Sequence, residues 1–209
     1  MTELILIRHG ETDWNAEHRI QGHIDVPLNR TGLAQAEAIG ERFRDVDIDV
    51  LVSSDLNRAL QTMKPISDRR DLPVFRDPRL RERHLGVLQG KTAEEAKQLT
   101  PQAFEVYRSR AKDAELEEGE SLAAFAHRVI AALKQLTQSH KNKRIVAVTH
   151  GGVLDIAYRH ANQIPLETPR TFRIFNASVN TLRANGSELQ LVDWSDTNHL
   201  QDIRAMDEQ

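Results

Sequence analysis

Leu4-Ile5-Leu6-Ile7-Arg8-His9-Gly10 and, much later, Ile145-Val146-Ala147-Val148-Thr149-His150-Gly151-Gly152 decide how this chain folds. Each is an unbroken apolar run that stops at a polar residue, a histidine and a glycine. A run with no alternation is what a parallel strand covered on both faces requires. A third such run, Val50-Leu51-Val52, empties into Ser53-Ser54-Asp55. Between the runs lie stretches with helical periodicity: Thr31 to Arg44, with Thr31 as its N-cap, then Asp55 to Arg69, and later Gly152 to Asn162. The clearest is Ser121 to Gln138, where Leu122, Phe125, Val129, Leu133 and Leu136 share one face. Strands alternating with helices predict an α/β domain built on a mostly parallel sheet.

The C-terminal part reads differently. Ser178 to Ala184 and Glu188 to Trp194 flank Asn185-Gly186, a hairpin signal, so an antiparallel ending is expected. Residues 83–118 are polar, charged and helix-prone, and read as a small helical cap inserted over the sheet. Thr197 to Gln209 reads as a loosely held tail. With neither repeats nor a low-complexity linker, residues 1–200 form one domain with its cap, and 201–209 form the tail.

Composition narrows the function. Among 209 residues, 28 Lys and Arg face 31 Asp and Glu, a net charge of −3. Non-specific nucleic-acid binders carry a basic excess instead. Apolar runs such as Val129 to Leu133 fall far short of the roughly 20 residues of a membrane span. No secretory signal pattern opens the chain, and a cytoplasmic protein is the default expectation. The absence of cysteine removes disulfides, thiol nucleophiles, thiolate zinc sites and iron–sulfur clusters together.

Ligands of open α/β sheets sit at the C-terminal ends of strands. There the chain places Arg8 and His9, Thr149 and His150, and Ser53-Ser54 followed within about a turn by Arg58. Two histidines and two arginines can therefore converge on one crevice. A histidine after a strand is most often a hydrogen-bonded structural residue. Two such strand ends with glycines, which admit a ligand close to the backbone, argue for a site. Arg8 and Arg58 suit bidentate recognition of a phosphate, and backbone N–H groups at the start of the Gly152 helix can join them. A metal centre is the competing reading, but Arg8 would repel a cation and no His-x-x-x-His spacing occurs. Dinucleotide, P-loop and serine-hydrolase motifs are absent, which leaves Ser53 and Ser54 poor nucleophile candidates.

An anion pocket holding a neutral imidazole points to phosphoryl transfer onto histidine, because neighbouring arginines lower a histidine pKa and keep its lone pair available. The leaving alkoxide then needs a proton. Glu82, in Leu80-Arg81-Glu82-Arg83-His84, is the candidate general acid, against the plainer reading of a solvated carboxylate in a charged run.

These residues resemble the histidine phosphatase superfamily in its phosphoglycerate-mutase-like branch. Arg8-His9-Gly10-Glu11-Thr12 carries the first signature, continuing through Trp14-Asn15, Gln21-Gly22, Asp25, Pro27-Leu28, Gly32 and Gln35-Ala36. Ser53-Ser54, Leu56, Arg58-Ala59 and Gln61-Thr62 form the second block. Leu80-Arg81-Glu82 with Gly86 and Gly90 forms the third. Glu118-Gly119-Glu120-Ser121 and Thr149-His150-Gly151-Gly152 complete the set, so the match covers nearly all the chain to about residue 200. The resemblance implies a three-layer α/β/α sandwich, with His9 as the phosphorylated nucleophile and Glu82 as proton donor and later base. Arg8, Arg58 and His150 would bind the phosphoryl group. Asn15, Gln21, Gly22 and Gly151 would line the pocket. No metal or organic cofactor is implied, and dimers are common in such families.

The resemblance leaves two activities. Mutases using 2,3-bisphosphoglycerate as cofactor usually show His-Gly-Asn where this chain has His150-Gly151-Gly152, and a longer basic insertion where only 35 residues lie between Glu82 and Glu118. Glu82-Arg83-His84 is similar to the mutase pattern. The expectation is a phosphatase of a small phosphorylated metabolite, with the mutase as first alternative and an inactive phosphate-binding module as second. The cap basics Arg83, His84, Lys91, Lys97, Arg108, Arg110 and Lys112 read first as a solvated surface, with Arg83 the candidate for a second acidic group of the substrate.

Overall fold

The protein is described from a computed structural model that covers every residue except 187, 202, 204, 206, 208 and 209. The three apolar runs form the strands β1 (Thr2–Arg8), β2 (Val50–Ser53) and β4 (Arg144–Thr149). A six-stranded sheet runs in the order β3-β2-β4-β1-β5-β6, where β3 is Val74–Arg76, β5 is Val179–Asn185 and β6 is Glu188–Asp196. The first four of these strands are mutually parallel. β5 joins β1 antiparallel and carries β6 antiparallel to itself.

The unbroken apolar runs have a direct cause in the layers. Alternate side chains of one strand serve opposite cores. Leu4, Leu6, Ile145 and Ala147 pack under α6 (Leu122–Ser139) and α7 (Gly151–Asn162). Ile5, Ile7, Val146 and Val148 pack under α2 (Arg30–Arg42) and α3 (Asn57–Ser67). The result is the three-layer sandwich. The cap holds α4 (Ala93–Leu99) and α5 (Pro101–Ser109), with its own small core of Leu85, Leu88, Ala96, Ala103 and Leu116.

Four details depart from expectation. The N-cap of α2 is Asn29, whose side chain accepts from the Gly32 N–H, and not Thr31, which lies inside the helix. β3 has no counterpart in the sequence reading, because this three-residue edge strand exposes Phe75 and shows no apolar run. Asn185 pairs with Glu188 as the last residue of β5, so the turn begins at Gly186, whose φ of +62° suits glycine. The segment after Thr197 is not loosely held in its described part. Leu200 is buried, Ile203 and Ala205 pack on the α2–α3 core, and Asp207 Oδ1 accepts from the Ile174 N–H.

Candidate active site

β1 and β4 are adjacent and parallel, with Arg8 opposite Thr149. Their next residues, His9 and His150, therefore emerge side by side, ring centroids 5.2 Å apart. Both are buried. Burial lowers the pKa of each well below its ordinary value, and the Arg58 and Arg8 charges add to the effect. Both rings are neutral at pH 7.

Their hydrogen bonds fix the tautomers. His9 Nδ1 lies 2.7 Å from the Gly10 carbonyl, which can only accept, so Nδ1 carries the proton and Nε2 keeps its lone pair. His150 is the reverse. Arg58 Nε, which can only donate, lies 3.2 Å from His150 Nδ1, and His150 Nε2–H donates to Ser54 Oγ at 2.8 Å. The main chain around His9 is pinned as well. Gly10 N–H donates to Thr62 Oγ1, Glu11 N–H donates to Gln35 Oε1, and Asn176 Nδ2 donates to the His9 carbonyl.

The arginines are aimed by carbonyls. Arg58 donates Nη1 to Ile24 O and Nη2 to Gly22 O, which fixes its guanidinium beneath the Gln21-Gly22 loop. Gly22 has φ of +54°, which glycine adopts without strain, and a Cβ there would fall 2.1 Å from Gln89 Oε1, so a larger residue would have to push the Gln89 side chain aside. Arg8 donates Nη1 to Ile174 O. Asn15 Oδ1 serves the capping box of α1 (Asp13–Ala16), accepting from Thr12, which leaves its amide NH2 for a ligand.

Glu82 comes from the irregular segment after the turn at Pro78–Leu80. Its Oε1 accepts from Arg83 N–H at 2.7 Å and its Oε2 from Gly152 N–H at 2.8 Å, at the start of α7. The carboxyl lies flush on Gly152, where a Cβ would stand 2.0 Å from Oε1.

A cavity of about 530 Å³ opens over these groups. Arg8, His9, Asn15, Gln21, Gly22, Arg58, Glu82, Arg83 and Gly151 all line it, while His150 is buried behind His9 and Arg58. Seven arginines (8, 19, 58, 83, 108, 110 and 170) face three carboxylates (Glu82, Asp155 and Asp207) in the described lining, so the cavity is cationic although the chain is acidic. Of the cap basics, Arg83, Arg108 and Arg110 reach the lining, whereas Lys91, Lys97 and Lys112 do not. Arg83 is buried and donates Nε to Glu120 O, and Arg110 pairs with Asp155. The solvated-surface reading fits Arg108, which pairs with Glu105 at the exposed rim. Among the described residues no three His, Asp or Glu side chains converge to hold a metal ion, and none of the described helices is long and apolar enough to cross a membrane.

Asn176, Gln35, Thr62 and Ser54 are the supporting residues that reasoning from chemistry left without roles. The last three stood in recognised blocks, but no spacing rule signals that a serine will orient a histidine 96 residues away.

A neutral histidine with a bare Nε2, set among arginines at the carboxyl end of a parallel sheet, defines a phosphoryl-transfer fold of the α/β class. The chain belongs to the histidine phosphatase superfamily (branch 1), whose family model matches residues 4–197, and it is an enzyme of that superfamily. It is 40% identical over 204 residues to phosphoglycerate mutase-like protein 4 of Arabidopsis thaliana, covering 96% of this chain and 87% of that protein. It is also 40% identical over 206 residues to a metal-independent phosphoserine phosphatase of the same plant, covering 97% and 85%. Among solved structures, Bacillus stearothermophilus YhfR superposes with a TM-score of 0.86 at 32% identity over 96% of this chain and 100% of that one. An Entamoeba histolytica phosphoserine phosphatase in complex with 3-phosphoglyceric acid superposes with a TM-score of 0.85 at 28% identity, over 96% and 100%.

Proposed function

We propose that the protein hydrolyses small phosphomonoesters in two steps through a phosphohistidine at His9. The observation that carries this reading is the Nδ1–H bond from His9 to the Gly10 carbonyl, which leaves Nε2 as an unprotonated nucleophile facing the cavity. Nε2 attacks phosphorus in line, the P–O ester bond breaks, and Nδ1 keeps its proton, so the phosphorylated ring becomes an imidazolium held by Gly10. Arg8 and Arg58 offset charge on the non-bridging oxygens, and His150 is held beside them by Arg58. Glu82 gives the leaving oxygen its proton. Its carboxyl is held at the cavity by the backbone N–H groups of Arg83 and Gly152. In the second step Glu82 takes a proton from water, water oxygen bonds phosphorus, the P–N bond breaks and phosphate leaves.

The cationic distal end, with Arg83 and Arg110, favours a substrate bearing a second acidic group. O-phosphoserine and 3-phosphoglycerate, both carboxylates, are the first to try, since relatives named above act on or bind them. The reading extends to a single catalytic domain with its cap at 83–118, to a cytoplasmic location, and to a homodimer as its assembly.

Hydrolysis of p-nitrophenyl phosphate in excess EDTA, wild type beside His9→Ala, tests the mechanism. Turnover that survives EDTA and disappears in the variant is the expected result. Silence in both, followed by interconversion of phosphoglycerates on adding 2,3-bisphosphoglycerate, would replace the phosphatase reading with the mutase. Arg83→Ala tests the substrate class. KM should rise about tenfold or more for an acidic ester, and much less for the aryl ester. Equal rises would remove Arg83 from that role.

A further inference from the structure

We infer that Arg128, with Glu120, is a positioning device for Glu82, an assignment that rests on Glu82 being the proton donor proposed above. Arg128 stands on α6, outside the cavity lining, with its guanidinium over the Phe125 ring. It grips the main chain that carries Glu82. Residues 81–84 belong to neither helix nor strand, so their carbonyls need partners from elsewhere. One guanidinium serves two of them and one just upstream: Nη1 donates to Arg79 O at 2.7 Å and to Arg81 O at 3.1 Å, and Nη2 donates to Glu82 O at 3.1 Å.

The guanidinium is itself held in place. Nε and Nη2 form a two-point pair with the Glu120 carboxylate at 2.8 and 2.7 Å. Glu120 closes a loop back to the same segment. Its Oε2 accepts from His84 N–H, its N–H donates to His84 O, and its carbonyl accepts from Arg83 Nε. His23 completes the grip by donating Nε2–H to Glu82 O at 2.7 Å. With Gly152 N–H holding the carboxyl from the front, Glu82 is fixed from α6, from the loop after α1, and from the start of α7.

One of the three carbonyls belongs to Glu82 itself, so a shift of the guanidinium moves the residue that carries the acid. Proton transfer demands heavy-atom distances of about 2.6–3.2 Å, and a displacement near 1 Å costs about a hundredfold in rate. The motif Glu118-Gly119-Glu120-Ser121 thereby acquires a role at Glu120, which orients the arginine that orients the acid.

Arg128→Lys keeps the charge but cannot serve three carbonyls and a bidentate carboxylate together. Glu120→Gln keeps the shape and weakens the pair. Each full-length variant is assayed on p-nitrophenyl phosphate, whose leaving group needs little protonation, and on an alkyl phosphate such as O-phosphoserine, with thermal unfolding followed in parallel. The expected result is that kcat/KM on the alkyl ester, which reports the leaving-group step and not the shared hydrolysis of the phosphohistidine, falls about tenfold or more beyond any loss on the aryl ester, with KM changing far less than kcat. Equal losses on both esters, or a loss confined to KM, would overturn the assignment and leave a merely structural pair. Should Arg128→Lys fail to fold, Glu120→Gln decides by the same ratio. Glu82→Gln runs beside them. If it lowers both esters equally, the reading of Glu82 as proton donor has failed. If it is selective and the other two variants are not, this inference alone has failed.

Discussion

β1 and β4 lie side by side and end in the same short signature, yet the two histidines they deliver are presented in opposite senses. His9 turns its protonated Nδ1 to a carbonyl and offers Nε2 to the cavity. His150 turns its lone pair to Arg58 and spends its N–H on Ser54. Both are buried and both are held neutral, so neither burial nor charge separates them. The difference lies in what meets Nδ1, a group that can only accept or one that can only donate. A histidine becomes a nucleophile through its neighbour's hydrogen-bonding sense more than through its own pKa.

The largest effect should come from setting the two rings against each other. His9→Ala is expected to cost about 10⁴-fold or more in turnover and to abolish any acid-labile phosphoprotein, with the circular dichroism unchanged. His150→Ala removes the acceptor that holds Arg58 Nε, freeing the arginine that offsets the phosphoryl charge, and should cost about 10²–10³-fold, while still forming the phosphoprotein slowly. Trapping with radiolabelled substrate distinguishes them, and labelling of the His9 variant would assign the nucleophile elsewhere.

Gly152→Ala probes the glycine pair that follows His150. Its Cβ would stand 2.0 Å from Glu82 Oε1 and 2.9 Å from Cδ, so the carboxyl must move. The expected loss is about ten- to a hundredfold on alkyl esters, with a smaller loss on p-nitrophenyl phosphate. Matching kinetics for variant and wild type would show that Glu82 has room to step aside.

The smallest effect concerns pH. Both histidines have folded-state pKa values below the unfolded value near 6.5, so the unfolded chain binds more protons as pH falls through that point. Stability from their burial is present above about pH 6.5 and declines below it, by up to about 1.4 kcal/mol per pH unit for each ring. Urea midpoints at pH 7.5 and 5 should fall accordingly, and His150→Asn should flatten the trend. A midpoint indifferent to pH would place the rings in a far wetter environment than their burial indicates.

The two strand ends also show what a sequence exposes. Leu4 to Ile7 and Ile145 to Val148 reveal the sheet because each strand must fill two cores, and that need is written in consecutive residues. His9, Arg58 and His150 are legible because each follows a strand end in a pattern with chemical meaning, whereas Glu82 sits in a charged run and stands out only through the family resemblance. The supports are not. Ser54, Asn176 and Arg128 act through contacts across 96, 167 and 46 residues, and each is an ordinary polar residue in its local window. β3 escaped for the opposite reason: an edge strand of three residues with Phe75 exposed owes little to the core. The cap was legible as helix and Arg83 as its one candidate for the pocket, which it does line; Arg108 and Arg110 were not, since they differ from their solvated neighbours only in where the chain folds back.

The central place of β1 has a consequence for how the molecule comes into being. Its hydrogen-bonding neighbours are β4 and β5, so this strand, made before the rest of its sheet, waits on partners some 140 and 180 residues later. Arg8 finds its carbonyl at Ile174, and the His9 carbonyl finds its amide at Asn176. A nascent chain emerging from the ribosome can collapse α2, β2 and α3 early, but it holds no anion pocket until residue 176 is free. Long-range pairing of this kind slows folding. Through that interval β1 presents two unpaired edges and apolar faces, which makes it the segment that a chaperone, or a second unfinished chain, would meet first.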